Sequence, residues 1–346
     1  MGRPLLYTLA MIRAYATHGA NKSLEPFEYD PGELGQGQVE IDVLACGVCH
    51  SDLSVANNDW GFSQYPIVPG HEVVGTIGAV GEGVSSVKVG DTVGLGWFSA
   101  SCMTCDQCMS GDHNLCLTAE QTIVGRYGGF ANKVRCSAEW ATLLPEGVHP
   151  KKAGPLFCGG ITVFNPIVQF GVKPTDRVGV IGIGGLGHFA LQFLNKWGCE
   201  VTAFTSTDAK REEAKRMGAH HTVSSRNAAE LEAVKGSFDF ILSTVNVDLD
   251  WSLYWDALGP KGRLHTVGAV PAPIPAPAFT MITGQKSVSG TPLGSPATTR
   301  TMLEFCARHG IEAVTEHFPM SRCNDALEHL QSGKARYRVV LENDFA

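Results

Sequence analysis

The sequence predicts an α/β protein of two domains: a β-barrel-like first part, then a doubly wound parallel sheet. Three observations carry that expectation. The 346 residues exceed one ordinary core, since domains usually run roughly 100–200 residues. From about residue 11 to 150, short apolar strands alternate with Gly-rich turns. After residue 160 the pattern becomes strand then amphipathic helix, repeated, which builds a parallel sheet.

In order along the chain, QVEIDVLACGV and EVVGTIGAVGEGV read as strands of the first part, and KVGDTVGLG and GGFANKVRC add two shorter ones. RVGVIGIGGLGHFALQFLNKWG reads as strand, glycine turn and amphipathic helix. CEVTAFTS is the next strand, and DAKREEAKRMGA is a charged helix stopped by Gly218. FDFILSTV and GRLHTVGAV are further apolar strands, and PAPIPAPAF, residues 271–279, is a Pro-rich connector. TRTMLEFCARHG and CNDALEHLQSGK have helical patterns, and RYRVVLEN closes the chain as a strand.

The bulk properties exclude several function classes. A content of 44% hydrophobic and 18% charged residues is ordinary for a globular protein. The net charge of −7 comes without a basic run, which argues against nucleic acid and anionic membranes as partners. No apolar run reaches the ~18 residues of a membrane span, and no signal peptide is evident, so a cytoplasmic protein is expected. Met11 offers an alternative start, which would make the first ten residues a leader, a tag or a mis-assigned beginning. The eleven cysteines are odd in number and sit at metal-ligand spacings, so reduced thiolates are expected rather than disulfides.

Cys102, Cys105, Cys108 and Cys116 follow the pattern C-x2-C-x2-C-x7-C. Four thiolates this close in sequence can close a tetrahedron around Zn²⁺ and leave no place for water, which makes a structural site. An iron–sulfur cluster also takes four cysteines, but the bacterial ferredoxin ending C-x3-C-P is absent. Cys49 in GVCHSDL, His71 in VPGHEVVG and Cys158 in LFCGG form a second set. Two thiolates and one imidazole with an open fourth position suit a catalytic zinc. Asp52 is placed to accept a hydrogen bond from the far nitrogen of His71 and fix its tautomer. Glu72 adjoins the ligand and is expected to tune it. Read singly, each of these residues has an ordinary structural explanation: a core cysteine, a loop histidine, a turn aspartate.

Gly182, Gly184, Gly185, Leu186 and Gly187 lie in GIGGLG, which follows the strand RVGVI and opens a helix. In that setting the motif is a dinucleotide fingerprint, with the pyrophosphate at the helix N-terminus. NAD enzymes carry an acidic residue at the end of the next strand for the ribose hydroxyls. Here that strand runs into Thr205, Ser206 and Thr207, and Asp208 comes three residues too late. Hydroxyls followed by Lys210 and Arg211 suit a 2′-phosphate, hence NADP(H), although both bases could instead belong to a solvated helix face with Glu212 and Glu213.

Taken together, GVCHSDL, YPIVPGHEVVG, the four-cysteine cluster, LFCGGITVF and GIGGLGH make the chain from about residue 11 onward similar to the zinc-containing medium-chain alcohol dehydrogenases, in the branch of cinnamyl-alcohol-dehydrogenase-like enzymes and bacterial broad-range aldehyde reductases. The resemblance implies a GroES-like catalytic domain from residues 11–154 and 296–346, with a zinc lobe at about 98–118. It implies a Rossmann domain over residues 155–295. It implies two zinc ions per chain, one on Cys49, His71 and Cys158 and one on the four clustered cysteines. His50 matches a position at the cofactor pyrophosphate, Ser51 the hydroxyl that begins a proton relay, and Thr162 a residue beside the nicotinamide. Gly268 joins the cofactor residues, Arg336 or Arg338 would reach the pyrophosphate, and Trp60 and Trp97 would line the substrate pocket. One position departs: Ser54 stands where many relatives carry a relay histidine.

The implied reaction is reversible hydride transfer between a nicotinamide and an aldehyde or primary alcohol, in a homodimer. Rival readings are a polyol or formaldehyde dehydrogenase on the same fold, a protein-docking zinc lobe, and a non-catalytic NADP-binding redox sensor.

Overall fold

The computed structural model describes residues 11–345; the residues before Met11, and with them the question of the start, lie outside the described residues. The chain forms two compact units. One runs to Cys158 and resumes at Glu312, and the other is Gly159–Ile311. Sequence reading put the second seam at 295/296 instead. The helix Pro296–His309 falls in the second unit because its apolar face is spent there: the Phe305 ring lies 5.6 Å from both Phe164 and Trp197.

The first unit is built on a seven-stranded sheet whose long central strand is Gln38–Val48. Its residues alternate between buried and exposed, the period-2 signature of a sheet with one covered face. The pairing against Glu72–Val80 shifts register twice, between Glu40 and Ile41 and between Val43 and Ala45, while the alternation holds as far as Ala45. Such bulges bend a strand and let a sheet curl toward a barrel. The bend lets one strand pair with three others. Gln38–Asp42 meets the strand Lys133–Ser137, most of its length meets Glu72–Val80, and its end meets Arg338–Glu342.

The second unit is a six-stranded parallel sheet. Its order runs His221–Ser224, Glu200–Thr205, Arg177–Ile181, Phe238–Ser243, Leu258–Thr266, Ser287–Gly290. In sequence terms the order is 3-2-1-4-5-6, the doubly wound arrangement whose ligand crevice lies where the order reverses. That point is the C-terminal end of Arg177–Ile181, where the glycine motif begins. The helix Gly187–Trp197 ends at Gly198, whose φ of 109° is a left-handed cap that glycine adopts at little cost. The charged helix is shorter than expected, ending at Arg216 with Gly218 beyond the cap. Among the described residues no helix is long and apolar enough to cross a membrane.

His265 is fully buried in this unit, its ring nitrogens paired with Ser289 Oγ at 2.9 Å and Thr291 Oγ1 at 3.1 Å. Burial first, and Arg263 second, push its pKa from 6.5 down to about 4. The folded protein therefore holds this ring neutral, while the unfolded chain takes up a proton as pH falls through 6.5. Stability present above that pH is lost progressively toward pH 4. We expect the group to remove on the order of 2 kcal/mol between pH 7 and pH 5. Denaturant titrations at both pH values check this. His265→Gln keeps hydrogen-bonding atoms without the titration and should lose less; an equal loss in both proteins would rule the ring out as the cause.

Candidate active site

Cys49 follows directly on the central strand and caps the short helix His50–Ala56. His71 immediately precedes the neighbouring strand Glu72–Val80. The register that sets Gly47 opposite Glu72 and Val48 opposite Val339 brings Cys49, His71, Glu72 and Arg338 to one end of the sheet. Cys158 arrives at the end of the 3-10 turn Gly154–Phe157. Cys49, His71, Glu72 and Cys158 each offer a ligand atom, and these atoms all lie within 4.8 Å of one another. The Cys49 and Cys158 sulfurs are 3.9 Å apart. An edge of a tetrahedral zinc–thiolate site is about 3.8 Å, given bonds of ~2.3 Å.

Asp52 organises this cluster. Buried and on the same short helix, it accepts hydrogen bonds from the Cys49 amide at 2.9 Å, the Gly70 amide at 2.8 Å and His71 Nδ1 at 2.9 Å. With Nδ1 so engaged, Nε2 of His71 is left buried without a hydrogen-bond partner among the thiols. An orphaned imidazole nitrogen beside two thiols is what a soft divalent cation would fill. Burial opposes the charged imidazolium, but Asp52 outweighs it and raises the His71 pKa well above 6.5. The hydrogen bond between the thiols lowers the Cys49 pKa and raises that of Cys158. The cluster alone thus carries protons that a metal would displace.

Glu72 is fully buried and ion-paired with Arg338, while its Oε2 has no partner. The Glu72 side chain lies across Gly47, where any Cβ would come within 1.9 Å of that same oxygen. The indole of Trp97 meets His71 edge-on at 5.1 Å, Trp60 meets Trp97 at 6.1 Å, and Phe62 extends the wall at 5.7 Å from Trp60. Ser51 Oγ lies 3.8 Å from Cys49 Sγ.

The second cluster is separate. The Cys102 sulfur lies 3.9 Å from Cys108 and 3.6 Å from Cys116, and all four sulfurs fall within 4.8 Å of one another. All four are free thiols. Amide N–H groups of Thr104 and Cys105, directed at Cys102, pull its pKa down to about 5.

In the second unit, Gly182 has φ +87°, and a Cβ on Gly187 would sit 1.9 Å from the Gly182 carbonyl. Around Gly184 nothing lies within 4 Å of an added Cβ, so this side of the loop is open. Thr244 pins the loop, its hydroxyl donating to the Ile181 and Gly182 carbonyls at 3.0 and 2.7 Å. At the next strand end Thr205 is buried with an unpartnered hydroxyl, and Ser206 and Thr207 are exposed.

Residues 35–146 match the alcohol dehydrogenase GroES-like domain and residues 185–308 the zinc-binding dehydrogenase domain, together more than half of the chain. The chain is 58% identical over 333 residues to aldehyde reductase AdhA of Synechocystis, covering 96% of this chain and 99% of that one. It belongs to the zinc-binding medium-chain alcohol dehydrogenase family. By class the enzyme is an alcohol dehydrogenase or aldehyde reductase. A cinnamyl alcohol dehydrogenase from Sorghum bicolor superposes with a TM-score of 0.91 at 37% identity, over 96% of this chain and 98% of that one. The cinnamyl alcohol dehydrogenase of Helicobacter pylori, solved with NADP(H), gives 0.87 at 29% identity, covering 96% and 98%.

The remaining residues of the sequence expectation lie as follows. Arg338, assigned to the pyrophosphate, is buried and spends its guanidinium on Glu72. Arg336 is exposed and donates to the carbonyls of Gly333, Lys334 and Ala335. Gly268 has a packing reason to be glycine, since a Cβ there would come within 1.8 Å of the Val245 carbonyl. Arg211 is held by Glu230 and Asp208. Thr162 is buried on the helix Gly159–Gln169, and Ser54 is half-buried on the helix that carries Ser51. His50 is exposed at the start of that helix. Sequence reasoning missed Thr244, Phe62 and the Glu72–Arg338 pair; only Phe62, two residues from Trp60 in an aromatic run, left a visible signal.

Asp52→Ala strands two amides and a ring nitrogen. We expect a loss on the order of 3 kcal/mol in stability. Asp52→Asn keeps one acceptor and should weaken zinc binding at the Cys49, His71 and Cys158 cluster by about 10–100-fold. A competition titration with a chromophoric chelator, beside a thermal melt, reads both. Wild-type zinc affinity in Asp52→Asn would remove Asp52 from the metal site.

Proposed function

We propose that the enzyme is an NADPH-preferring aldehyde reductase, running also as a primary-alcohol dehydrogenase, with two zinc ions per chain. The observation that carries this is the buried set Cys49, His71 and Cys158 with its orphaned imidazole nitrogen. In this reading a zinc ion held by that set supplies Lewis-acid polarisation of the carbonyl, and bound NADPH supplies the hydride. A second zinc on Cys102, Cys105, Cys108 and Cys116 is structural, because four thiolates leave no open position.

The chain's own residues do the rest. Asp52 holds His71 in the tautomer that turns Nε2 toward the thiols. Ser51, whose hydroxyl lies beside Cys49, gives the proton that the nascent alcohol takes up and recovers it from water, since Ser54 offers no imidazole. Trp97, Trp60 and Phe62 form an apolar wall suited to an aromatic or alkyl aldehyde. Gly182, Gly184, Gly185, Leu186 and Gly187 take the pyrophosphate, with His50, Thr162 and Gly268 as further cofactor contacts. The strand end Thr205, Ser206 and Thr207 lacks the carboxylate an NAD ribose would need, which favours NADP(H). The NADP(H) bound by the Helicobacter pylori relative supports the same choice. A homodimer working in the cytoplasm fits this reading.

Initial rates with NADPH and NADH against cinnamaldehyde, benzaldehyde and a medium-chain aliphatic aldehyde, with zinc quantified on the same preparation, test the proposal. Turnover with NADPH preferred and two zincs per chain is expected. One zinc and no turnover with either nucleotide would remove the catalytic assignment and favour a redox sensor. Ser51→Ala should lower kcat by about 10²–10³-fold with little change in nucleotide affinity; an unchanged kcat would exclude Ser51 from proton transfer. Ser206→Asp should move the nucleotide preference toward NADH by at least about ten-fold, and an unmoved ratio would detach the strand end from cofactor choice.

A further inference from the structure

The 2′-phosphate reading raises a matter of charge at the end of the strand Glu200–Thr205. Arg211, one of the two bases that sequence assigned to the phosphate, is already committed. Its guanidinium donates to both oxygens of Glu230 at 2.8 and 3.0 Å and to Asp208 at 2.9 Å. Glu230 in turn accepts from the Ser224 amide at 2.8 Å and from the Asn227 side chain at 3.1 Å. This clasp ties the helix Ala209–Arg216 to the helix Ala228–Ala233 that follows the third strand. One guanidinium facing two carboxylates leaves a net negative charge beside the strand end. A phosphate monoester brings roughly −1.5 to −2 of its own at neutral pH. Lys210 alone would do no more than cancel the clasp.

A further cation stands close by. Thr205 is paired in parallel register with Ser224. Ser225 closes that pairing, its amide and hydroxyl both donating to the Thr205 carbonyl, at 2.8 and 3.2 Å. Arg226 therefore leaves the sheet immediately beyond this clamp, as Ser206 leaves it on the adjacent strand, with strands ~4.8 Å apart. Arg226 is exposed, and its only hydrogen bond among the described residues is from its backbone amide to Ser224 Oγ at 3.3 Å. Its guanidinium is free for a ligand, and a guanidinium fork matches a phosphate bidentately.

We propose that Arg226 pairs with the 2′-phosphate of NADP(H), with Lys210 as the second cation, and that Arg211 is a positioning residue that neutralises Asp208 and Glu230. This rests on the NADP(H) reading given above.

The experiment is calorimetric titration of the zinc-loaded enzyme with adenosine 2′,5′-bisphosphate and with adenosine 5′-monophosphate, for wild type, Arg226→Ala and Arg226→Lys, each checked by a thermal melt. Wild type should bind the bisphosphate more tightly. Arg226→Ala should lose about ten-fold or more of that affinity, bind the monophosphate as before and melt normally, and Arg226→Lys should recover part of the loss. A wild type that does not distinguish the two nucleotides would overturn the NADP(H) reading itself. A wild type that distinguishes them, with an Arg226→Ala that still does so undiminished, would overturn the role of Arg226 alone.

Discussion

The carboxylate of Asp52 is the group on which the metal centre depends. It has no solvent exposure and takes three hydrogen bonds, each with a different consequence. The bond from the Cys49 amide starts the helix His50–Ala56 and so fixes where Cys49 sits. The bond from Gly70 fixes the backbone just before His71. The bond from the imidazole decides which ring nitrogen faces the thiols. Two donors from separate strands are thus held in register by one side chain. A buried carboxylate is expensive even with two amides and an imidazole as partners, and it is not alone. Glu72 and the thiols of Cys49 and Cys158 are three acidic groups sharing one buried guanidinium, Arg338. A divalent cation brings that population close to neutrality.

The sheet makes this gathering possible. Because Gln38–Val48 is paired on both edges, its end receives Glu72 from one neighbour and Arg338 from the other. Gly47 is what lets the Glu72 side chain cross the strand. The resulting ion pair need not stabilise the fold: a buried pair is often no better than apolar packing of the same volume. Removing either partner, however, typically costs about 3–5 kcal/mol. The pair therefore serves to keep a carboxylate, with one oxygen unpartnered, beside the thiols.

What sequence made legible was local or patterned. The glycine motif reads correctly because strand, turn and helix are contiguous, and the four-cysteine lobe because its ligands span fifteen residues. Cys49, His71 and Cys158 were found as a set only because motifs around each pointed the same way. The Glu72–Arg338 pair was not legible because it spans 266 positions, a separation closed by strand register that no local pattern encodes. The helix His50–Ala56 left no apolar period to detect, being seven residues long and started by a cysteine cap. The seam near 295 was misjudged because an amphipathic helix shows that it has an apolar face but not which core it covers.

Arg211 shows the same limit for charge. The run DAKREEAKR is compatible with a phosphate site and with a solvated helix, and nothing in composition separates them. The fold separates them through partners: Glu230 lies nineteen positions away yet takes both of its oxygens to one guanidinium. Once that pair is set aside, the two ends of the chemistry obey one rule. At the metal cluster the protein supplies more negative charge than it can pair internally, so the missing ligand is a cation. At the strand end the half-buried Lys210 and the exposed Arg226 stand beside hydroxyls, while the nearby carboxylates of Asp208 and Glu230 are held by Arg211, which is the arrangement the proposed anion would use. Charge left over after the neighbouring groups have paired is what distinguishes each of these places from the surface around it.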